Sequence, residues 1–483
     1  MPTYHVENFG CRATQADGAA LERQFEERGL DHASSAHADL VVLNTCTVTV
    51  AADQDARAAI RRIQRQNPKA KIVVTGCYAQ RAPEEIAVLP GVTAVVGNSH
   101  KHRLADLALR AGFQEVRRIE ADDDTSGKTA AEGFVPLAAL SQESGKRHFK
   151  SEIFVSDIFA HTELLAAPVF DGIASGPYGE QRTRPNLKVQ DGCDNRCSFC
   201  VIPYVRGQSR SLSPEAVLRE VHGLVAAGFR EVVISGINLG RWGQDLASAG
   251  TRKLGFEDLI RAILSETALE KLRISSVEPM DWSDELIRLV AESPRIAKHA
   301  HIPLQSGSDA VLRRMHRKYR PWHYREKIEK IRAVMPTAAI GADVMAGFPG
   351  ETDAEFDATR RLIEELPFTY LHVFTYSARP GTPASSMQNQ VPVHVARDRN
   401  RILREIAQEK KLRFMLSFVG HTVDAITLGE SEPAAAARQC EKFTEALTDN
   451  YLKLHLNGHH ASNKWMKIEV TGIEDDALVG EAH

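Results

Sequence analysis

The sequence predicts an α/β protein with a doubly wound N-terminal domain, a partial (β/α)6 barrel and a small C-terminal β-barrel. Apolar strands alternate with amphipathic helices over the first hundred residues, and six further strand–helix repeats begin at Asn186. Short β-like pieces follow Phe418. The predicted bounds are 1–119 for the N-terminal domain, 120–181 for a linker or insertion, 182–417 for the barrel and 418–483 for the β-barrel.

The N-terminal domain reads as a parallel sheet. Its predicted helices cover residues 14–28 and 51–66, and its predicted strands are "TYHVENFG", "DLVVLN", "KIVVTG" and "GVTAVVG". Cys11, Cys46 and Cys77, here called the N-terminal triplet, follow the first three strands. Because the carboxyl ends of parallel strands lie along one edge, we expect the triplet to meet there and hold a metal cluster. The alternative is three separately buried cysteines.

The barrel is predicted from six strands that helical segments separate. They are "NLKVQ", "EVVISG", "KLRISS", "KHAHIPL", "AAIGADVMAG" and "TYLHVFTY". The pieces "HTVDAITLG", "NYLKLHLNG", "KWMKIEVTG" and "ALVGEAH" predict the terminal β-barrel. The segment from 120 to 181 shows no sustained period, which is typical of a linker with some folded pieces.

Composition narrows the class of protein. The chain of 483 residues is 43% apolar and 25% charged, with a net charge of −3 and seven cysteines. Its first ten residues are polar and no apolar run could cross a bilayer, so we expect a cytoplasmic protein without a membrane partner. Thiols stay reduced there, which favours metal or redox chemistry over disulfides. The net charge excludes a generally basic nucleic-acid binder and leaves room only for a local patch.

Cys193, Cys197 and Cys200, here called the barrel triplet, follow the first barrel strand in the spacing C-x3-C-x2-C. A zinc knuckle would require a second C-x2-C or a nearby histidine pair, and the sequence offers neither close by. The alternative is a four-iron cluster held by three thiolates, which leaves one iron open to a substrate or cofactor.

This spacing, with Phe199 before the last cysteine, resembles the signature of radical S-adenosylmethionine enzymes. The resemblance implies that S-adenosylmethionine chelates the open iron and that one electron cleaves it to a 5′-deoxyadenosyl radical. Cys193, Cys197 and Cys200 would then be the catalytic residues. It also implies that Phe199 and the barrel loops bind the cofactor, through residues that follow the second, third and fourth strands: Gly236, Asn238, Ser276, Glu278 and Gln305.

A chain with two cysteine triplets resembles the radical S-adenosylmethionine methylthiotransferases. The stretches that carry the same resemblance are "GCRATQAD", "VTGCYAQ", "HIPLQSGSD", "DVMAGFPGET" and "YSARPGTPA". The family implies two [4Fe-4S] clusters, the second an auxiliary one in a flavodoxin-like N-terminal domain, and a TRAM-like RNA-binding β-barrel at the end. "NTCTVT" and "IPYVRG" look most like the branch that modifies N6-threonylcarbamoyladenosine beside the tRNA anticodon.

RNA contact is predicted at a local basic patch. Its candidates are Arg206, Arg210, Arg313, Arg314, Arg317, Lys318 and Arg320, with Tyr319, Trp322 and Tyr324 interleaved. The alternative is a solvated helix face. The last 63 residues are acidic, with five Lys and Arg against eleven Asp and Glu, which goes against a simple RNA-binding barrel there.

The resemblance implies an enzyme that adds a methylthio group to carbon 2 of N6-threonylcarbamoyladenosine in tRNA. It implies as partners tRNA, an electron donor of the flavodoxin or ferredoxin kind, and a sulfur donor. Alternative substrates are isopentenyladenosine in tRNA and an aspartate of a ribosomal protein. A non-enzymatic alternative is an RNA-binding protein with structural iron–sulfur or zinc sites.

Overall fold

The computed structural model describes residues 1–113, 151–160, 183–246, 253–429 and 443–482. Most of the predicted linker at 120–181 lies outside the described residues, as does Cys440. Within the described part of the chain, no helix is both long and apolar enough to span a bilayer.

The N-terminal residues form a six-stranded parallel sheet in the order β2-β1-β3-β4-β5-β6. Its strands are β1 (Thr3–Asn8), β2 (Asp31–His32), β3 (Leu40–Thr45), β4 (Lys71–Gly76), β5 (Val92–Gly97) and β6 (Glu152–Phe154). Its helices are α1 (Arg12–Glu26), α2 (Val50–Gln66), α3 (Cys77–Arg81), α4 (Pro83–Ala87) and α5 (Leu104–Phe113). The short strands β2 and β6 extend the four predicted ones, and β6 comes from the predicted linker.

Alternation along the buried strands gives this sheet two apolar faces. Val41 and Leu43 of β3 pack with Ile60 of α2, whereas Leu40 and Val42 face the side that holds Phe25 of α1. Successive strand residues point to opposite faces, so both faces need a helical cover. This is the predicted doubly wound arrangement, and the structure confirms it.

The barrel strands form two sheets, β10-β9-β7-β8 and β11-β12-β13. The strands are β7 (Asn186–Asp191), β8 (Arg210–Ser211), β9 (Glu231–Gly236), β10 (Lys271–Ile274), β11 (His299–His301), β12 (Ala339–Ala346) and β13 (Tyr370–Thr375). The helices are α6 (Ile202–Arg206), α7 (Pro214–Ala226), α8 (Phe256–Glu266), α9 (Asp284–Glu292), α10 (Asp309–Arg314), α11 (Pro321–Val334), α12 (Asp353–Glu365) and α13 (Val393–Leu416). Single bridges join the sheets, Leu272 to Ile296 and Ser276 to His301.

The barrel is therefore partial, as predicted. Ile340, Ala342 and Val344 of β12 belong to the core shared with the surrounding helices. Gly341 and Asp343 alternate with them, so they point to the concave inner side. The inner surface of the partial barrel is therefore lined by the strand residues that alternate in sequence with the apolar core residues.

A closed five-stranded barrel ends the chain, in the order β14-β15-β16-β18-β17. Its strands are β14 (Thr422–Thr427), β15 (Phe443–Thr448), β16 (Lys453–Asn457), β17 (Trp465–Glu474) and β18 (Ala477–Ala482). The sequence predicted a β-barrel here but not β15. Phe418 packs into its core with Leu454 and Leu456, so the end of α13 is continuous with it.

A buried arginine joins this barrel to the larger one. Arg273 of β10 pairs with Glu231 of β9 at 2.6 Å, and both side chains are fully buried. Arg273 also donates to the backbone carbonyls of Asp449, at 3.0 Å, and Thr448, at 3.3 Å. The guanidinium therefore satisfies the Glu231 carboxylate and the end of β15 at once.

We expect Arg273→Met to lower the free energy of unfolding by about 3–5 kcal/mol, because it leaves the Glu231 carboxylate buried without its partner. Denaturant unfolding followed by tryptophan fluorescence measures this. The control is Arg401→Met, which removes an exposed pair with Glu405 and should cost less than about 1 kcal/mol. Equal effects of the two variants would contradict the assigned role of Arg273.

Candidate active site

The N-terminal triplet lies at one edge of the first sheet. Cys11 is exposed before α1, Cys46 is buried after β3, and Cys77 is the buried first residue of α3. Burial, together with the neighbouring Cys77 and Cys11 thiols, raises the pKa of Cys46 to about 12. Gly10 has φ 97°, and a Cβ there would lie 2.9 Å from the Cys46 sulfur. The structure thus brings the three thiols together, and a glycine permits the close approach.

The barrel triplet lies in the loop between β7 and α6, and nitrogen donors surround its sulfurs. The Asn195 backbone N–H donates to Cys193 Sγ at 3.4 Å, and Asn238 Nδ2 lies 3.7 Å from the same sulfur. Arg317 Nη1 donates to Cys197 Sγ at 3.2 Å. Burial raises the pKa of Cys193 to about 11 and that of Cys200 to about 12. A bound metal would replace these protons, and the donors suit the thiolates it would leave.

The spacing of the thiols fits a cluster better than a single ion. Among the described residues, a single group of three His, Cys, Asp or Glu side chains has its ligand atoms all within 4.8 Å of one another. That group contains no cysteine, so in neither triplet do the three sulfurs all lie within 4.8 Å of one another. Two thiolates on one zinc, each at about 2.3 Å, cannot be more than about 4.6 Å apart. In an iron–sulfur cluster each thiolate can bind a different iron, so the sulfurs stand farther apart. This goes against the zinc alternative.

The two triplets belong to surfaces that touch. Cys77 packs against Val201 and Val205, which follow the barrel triplet directly in the chain. Asn98 donates to the Val205 carbonyl at 2.8 Å, and its side-chain nitrogen also lies 3.6 Å from Cys77 Sγ. The edge of the first sheet is therefore seated on the segment that carries the barrel triplet.

A buried network of charges joins the same two surfaces. Lys101 Nζ lies 2.9 Å from Asp17 Oδ2, and Arg206 Nη2 lies 3.0 Å from the same oxygen. Arg206 Nη1 is 2.9 Å from both Asp191 oxygens, and Lys188 pairs with both Asp17 and Asp191. Asp17 and Lys101 belong to the N-terminal domain and the other three to the barrel. Lys101, Lys188 and Arg206 hold the pKa of Asp17 well below its usual range despite burial.

The residues implied to bind S-adenosylmethionine lie around the barrel mouth. Asn238 and Gln305 are buried, and the side-chain oxygens Asn238 Oδ1 and Gln305 Oε1 have no hydrogen-bond partner. Buried polar atoms are normally satisfied, so these two suit a polar ligand. A Cβ on Gly236 would lie 2.9 Å from Gln190 Oε1, which explains glycine there. Ser276 bridges to His301 in the neighbouring strand.

Two of the predicted cofactor residues have partners that the sequence did not reveal. Glu278 forms an ion pair with Arg317, the same arginine that donates to Cys197. Phe199 packs edge-on against Phe348, with ring centroids 6.5 Å apart. The signal that could have identified Arg317 is weak, because it stands in a run of basic residues.

A polar group inside the barrel was also missed. His301 Nε2 lies 3.4 Å from Asp343 Oδ1, and His372 Nδ1 lies 3.2 Å from the same oxygen. These three residues form the close group of ligand atoms noted above. They come from three different strands, so no local spacing marks them in the sequence.

The predicted RNA-binding residues are divided by the structure. Arg206 and Arg317 are 2% and 7% exposed and are paired inside the protein, which goes against a phosphate contact for them. Tyr319 and Tyr324 are buried too, whereas Trp322 is 56% exposed. The remaining candidates are exposed or partly exposed: Arg210, Arg313, Arg314, Lys318 and Arg320.

Comparison with known proteins agrees with this geometry. Residues 3–97 match the uncharacterized protein family UPF0004, and residues 187–363 match the radical SAM superfamily. A methyltransferase from Kitasatospora setae, TsrM, solved with cobalamin and a [4Fe-4S] cluster, shares the fold with a TM-score of 0.52. The two are 16% identical, over 80% of this chain and 74% of that one.

Two curated relatives extend over most of the chain. The threonylcarbamoyladenosine tRNA methylthiotransferase MtaB of Bacillus subtilis is 34% identical over 459 residues, covering 95% of this chain and 91% of the relative. The tRNA-2-methylthio-N(6)-dimethylallyladenosine synthase of Novosphingobium aromaticivorans is 34% identical over 428 residues, covering 88% and 86%.

The fold and the superfamily match define a radical S-adenosylmethionine enzyme. With such relatives over nearly its whole length, the chain belongs to the radical S-adenosylmethionine methylthiotransferase family. The predicted transferase class and the predicted cofactors, two [4Fe-4S] clusters and S-adenosylmethionine, are those of this family and are confirmed. The assignment of individual site residues stays a prediction.

We expect anaerobically reconstituted protein to hold about eight irons per chain, in two clusters of four. Replacing the barrel triplet by alanines should leave about four irons, and so should replacing the N-terminal triplet, as elemental analysis would measure. Cys440→Ala is the matched control and should keep the full content. Zinc in place of iron, or an unchanged iron content in either triple variant, would contradict the assigned ligands.

Proposed function

We propose that this protein adds a methylthio group to carbon 2 of N6-threonylcarbamoyladenosine next to the tRNA anticodon. The observation that carries the proposal is the contact between the surfaces that bear the two cysteine triplets, in a chain of this family. The MtaB proteins of Bacillus subtilis and Aquifex aeolicus favour this substrate over the dimethylallyl one, since they match over 95% and 96% of the chain against 88% for the Novosphingobium aromaticivorans synthase.

The cofactors would supply the 5′-deoxyadenosyl radical that takes a hydrogen atom from the substrate, and the place where sulfur is held. Cys193, Cys197 and Cys200 would hold the first cluster, and Cys11, Cys46 and Cys77 the second. Removing an unactivated C–H hydrogen and delivering sulfur are separate tasks. Both must occur at one base, so the two sites have to face a common space.

The chain's own residues prepare that space. Arg317, Asn195 and Asn238 place N–H groups against the barrel sulfurs, which stabilises thiolate charge. The orphaned oxygens of Asn238 and Gln305 offer acceptors to a bound polar group. The imidazoles of His301 and His372 and the Asp343 carboxylate give the inner wall polar partners for a nucleoside base.

Further partners follow from the proposed reaction. The radical step needs one electron, so we propose a donor of the flavodoxin or ferredoxin kind. Each turnover consumes a sulfur atom, so we also propose a separate sulfur donor. A tRNA substrate places the protein in the cytoplasm. Exposed Lys318 and Trp322 are the basic and aromatic groups best presented for RNA contact.

Mass spectrometry of tRNA nucleosides from cells with and without the gene tests the substrate. Loss of 2-methylthio-N6-threonylcarbamoyladenosine, with its unmethylthiolated precursor accumulating, is the expected result. Loss of the isopentenyl derivative instead would assign the second candidate, which the dimethylallyladenosine synthases favour at 34% identity. Unchanged tRNA, with a ribosomal-protein aspartate losing its methylthio group, would refute both.

Two separate triple variants test whether the two clusters have different roles in the reaction. Alanines in place of Cys193, Cys197 and Cys200 should abolish 5′-deoxyadenosine formation in the presence of dithionite, because the thiolates that hold the first cluster are gone. Alanines in place of Cys11, Cys46 and Cys77 should retain it at the wild-type order of magnitude but yield no methylthio product. Chromatography of the quenched reaction measures both. Cleavage retained in the first variant contradicts the assignment.

A further inference from the structure

The interface network contains more positive than negative charge. Among the described residues, its buried ion pairs join three cations, Lys101, Lys188 and Arg206, to two carboxylates, Asp17 and Asp191. All five side chains are at least nine-tenths buried. An uncompensated charge in such a place is costly, so a further anion is to be expected nearby.

The N-terminal triplet adjoins this network, and its sulfurs would carry negative charge once they bind a cluster. Arg206 ends the short helix α6, and Val205, the residue before it, packs directly against Cys77. Despite burial, the pKa of the Arg206 guanidinium is raised well above its usual range, by Asp191 first and then by Cys77, Asp17 and Cys11. Arg206 Nε is buried and has no hydrogen-bond partner. One buried donor of this side chain therefore stays without an acceptor.

Lys188 provides an internal contrast. It is as deeply buried as Arg206 and pairs with the same two carboxylates. Lys188 lies on β7, whereas Arg206 lies on α6, the helix whose Val205 packs against Cys77. The two cations thus share one network but differ in their closeness to the thiols.

We propose that Arg206 is a positioning residue for the second cluster, whose buried positive charge balances the thiolate-bound iron and favours the reduced form of that cluster. The proposal rests on the proposed function only in that it requires a cluster at Cys11, Cys46 and Cys77. A cluster that accepts one electron gains one negative charge, and a neighbouring buried cation stabilises this gain with little screening by salt.

The test uses the full chain with the barrel triplet replaced by alanines, so that the second cluster alone gives the spectroscopic signal. Three variants are compared in this background: Arg206→Gln, Arg206→Lys and Lys188→Met. Each of the two neutral substitutions leaves two cations facing two carboxylates, so both leave a balanced network. The two variants differ in the cation that is removed, which is Arg206 in one and Lys188 in the other.

The reduced fraction is measured by electron paramagnetic resonance during titration with dithionite and mediators. In Arg206→Gln we expect the ratio of reduced to oxidised cluster at fixed potential to fall about tenfold, equivalent to about 59 mV for a one-electron couple. Arg206→Lys keeps the charge and should stay close to the parent. Lys188→Met should change the ratio clearly less than Arg206→Gln.

Equal shifts in Arg206→Gln and Lys188→Met, no shift in Arg206→Gln, or a full shift in Arg206→Lys would each overturn the proposal. If the Arg206→Gln variant binds no iron, it gives no spectroscopic signal, and the iron content of the three variants becomes the measurement. Uptake retained in Arg206→Lys and Lys188→Met then supports the charge requirement, and loss in all three overturns it. The measurement needs no tRNA, so its failure is distinguishable from failure of the nucleoside assay.

Discussion

The buried charge network between the first sheet and the barrel is the constraint on which the remaining arrangement depends. Asp17 pairs with Lys101 of its own domain and also with Lys188 and Arg206 of the barrel, and these two cations in turn pair with Asp191. A buried ion network contributes little net stability, but it penalises every wrong alignment, because displaced charges would be left unpaired. It therefore fixes the register of the two domains, and with it the placement of Cys77 beside the residues that follow Cys200.

Each cysteine triplet also has its own buried guanidinium. Arg317 donates to Cys197 and pairs with Glu278. Arg206 pairs with Asp17 and Asp191, and it follows Val205, which packs against Cys77. Three thiolates with their metal form a region of concentrated charge in a poorly solvated place. Arginine stabilises this charge better than lysine does, because its rigid guanidinium stays charged when buried, whereas lysine loses its proton more easily. The carboxylates that hold Arg206 lie on α1 and at the end of β7, so they connect this arginine to both domains.

Much of this architecture follows from local sequence. Strand and helix periods predicted the first sheet, the six barrel strands and the strand ends at which Cys11, Cys46 and Cys77 lie. Strand β15 was missed because "FTEALT" lacks clean alternation and owes its pairing to neighbours on both sides. Arg206 and Arg317 were interpreted as surface residues because basic runs usually are. Their acidic partners Asp17 and Glu278 lie 189 and 39 residues away, where no sequence window includes both.

Several arginines of the basic run form ion pairs within the protein, and this affects how the protein can recognise its substrate. Arg313 and Arg320 pair with Asp309, and Arg314 pairs with Glu355, so much of the apparent phosphate-binding charge is used to hold α10 in place. Phosphate contacts give affinity without reading the base. On the proposed function, discrimination depends more on the nucleoside itself, and the concave side of the barrel offers it the polar group of His301, Asp343 and His372. Such a polar wall would give specificity, since a wrong group would leave partners such as the buried His301 unsatisfied.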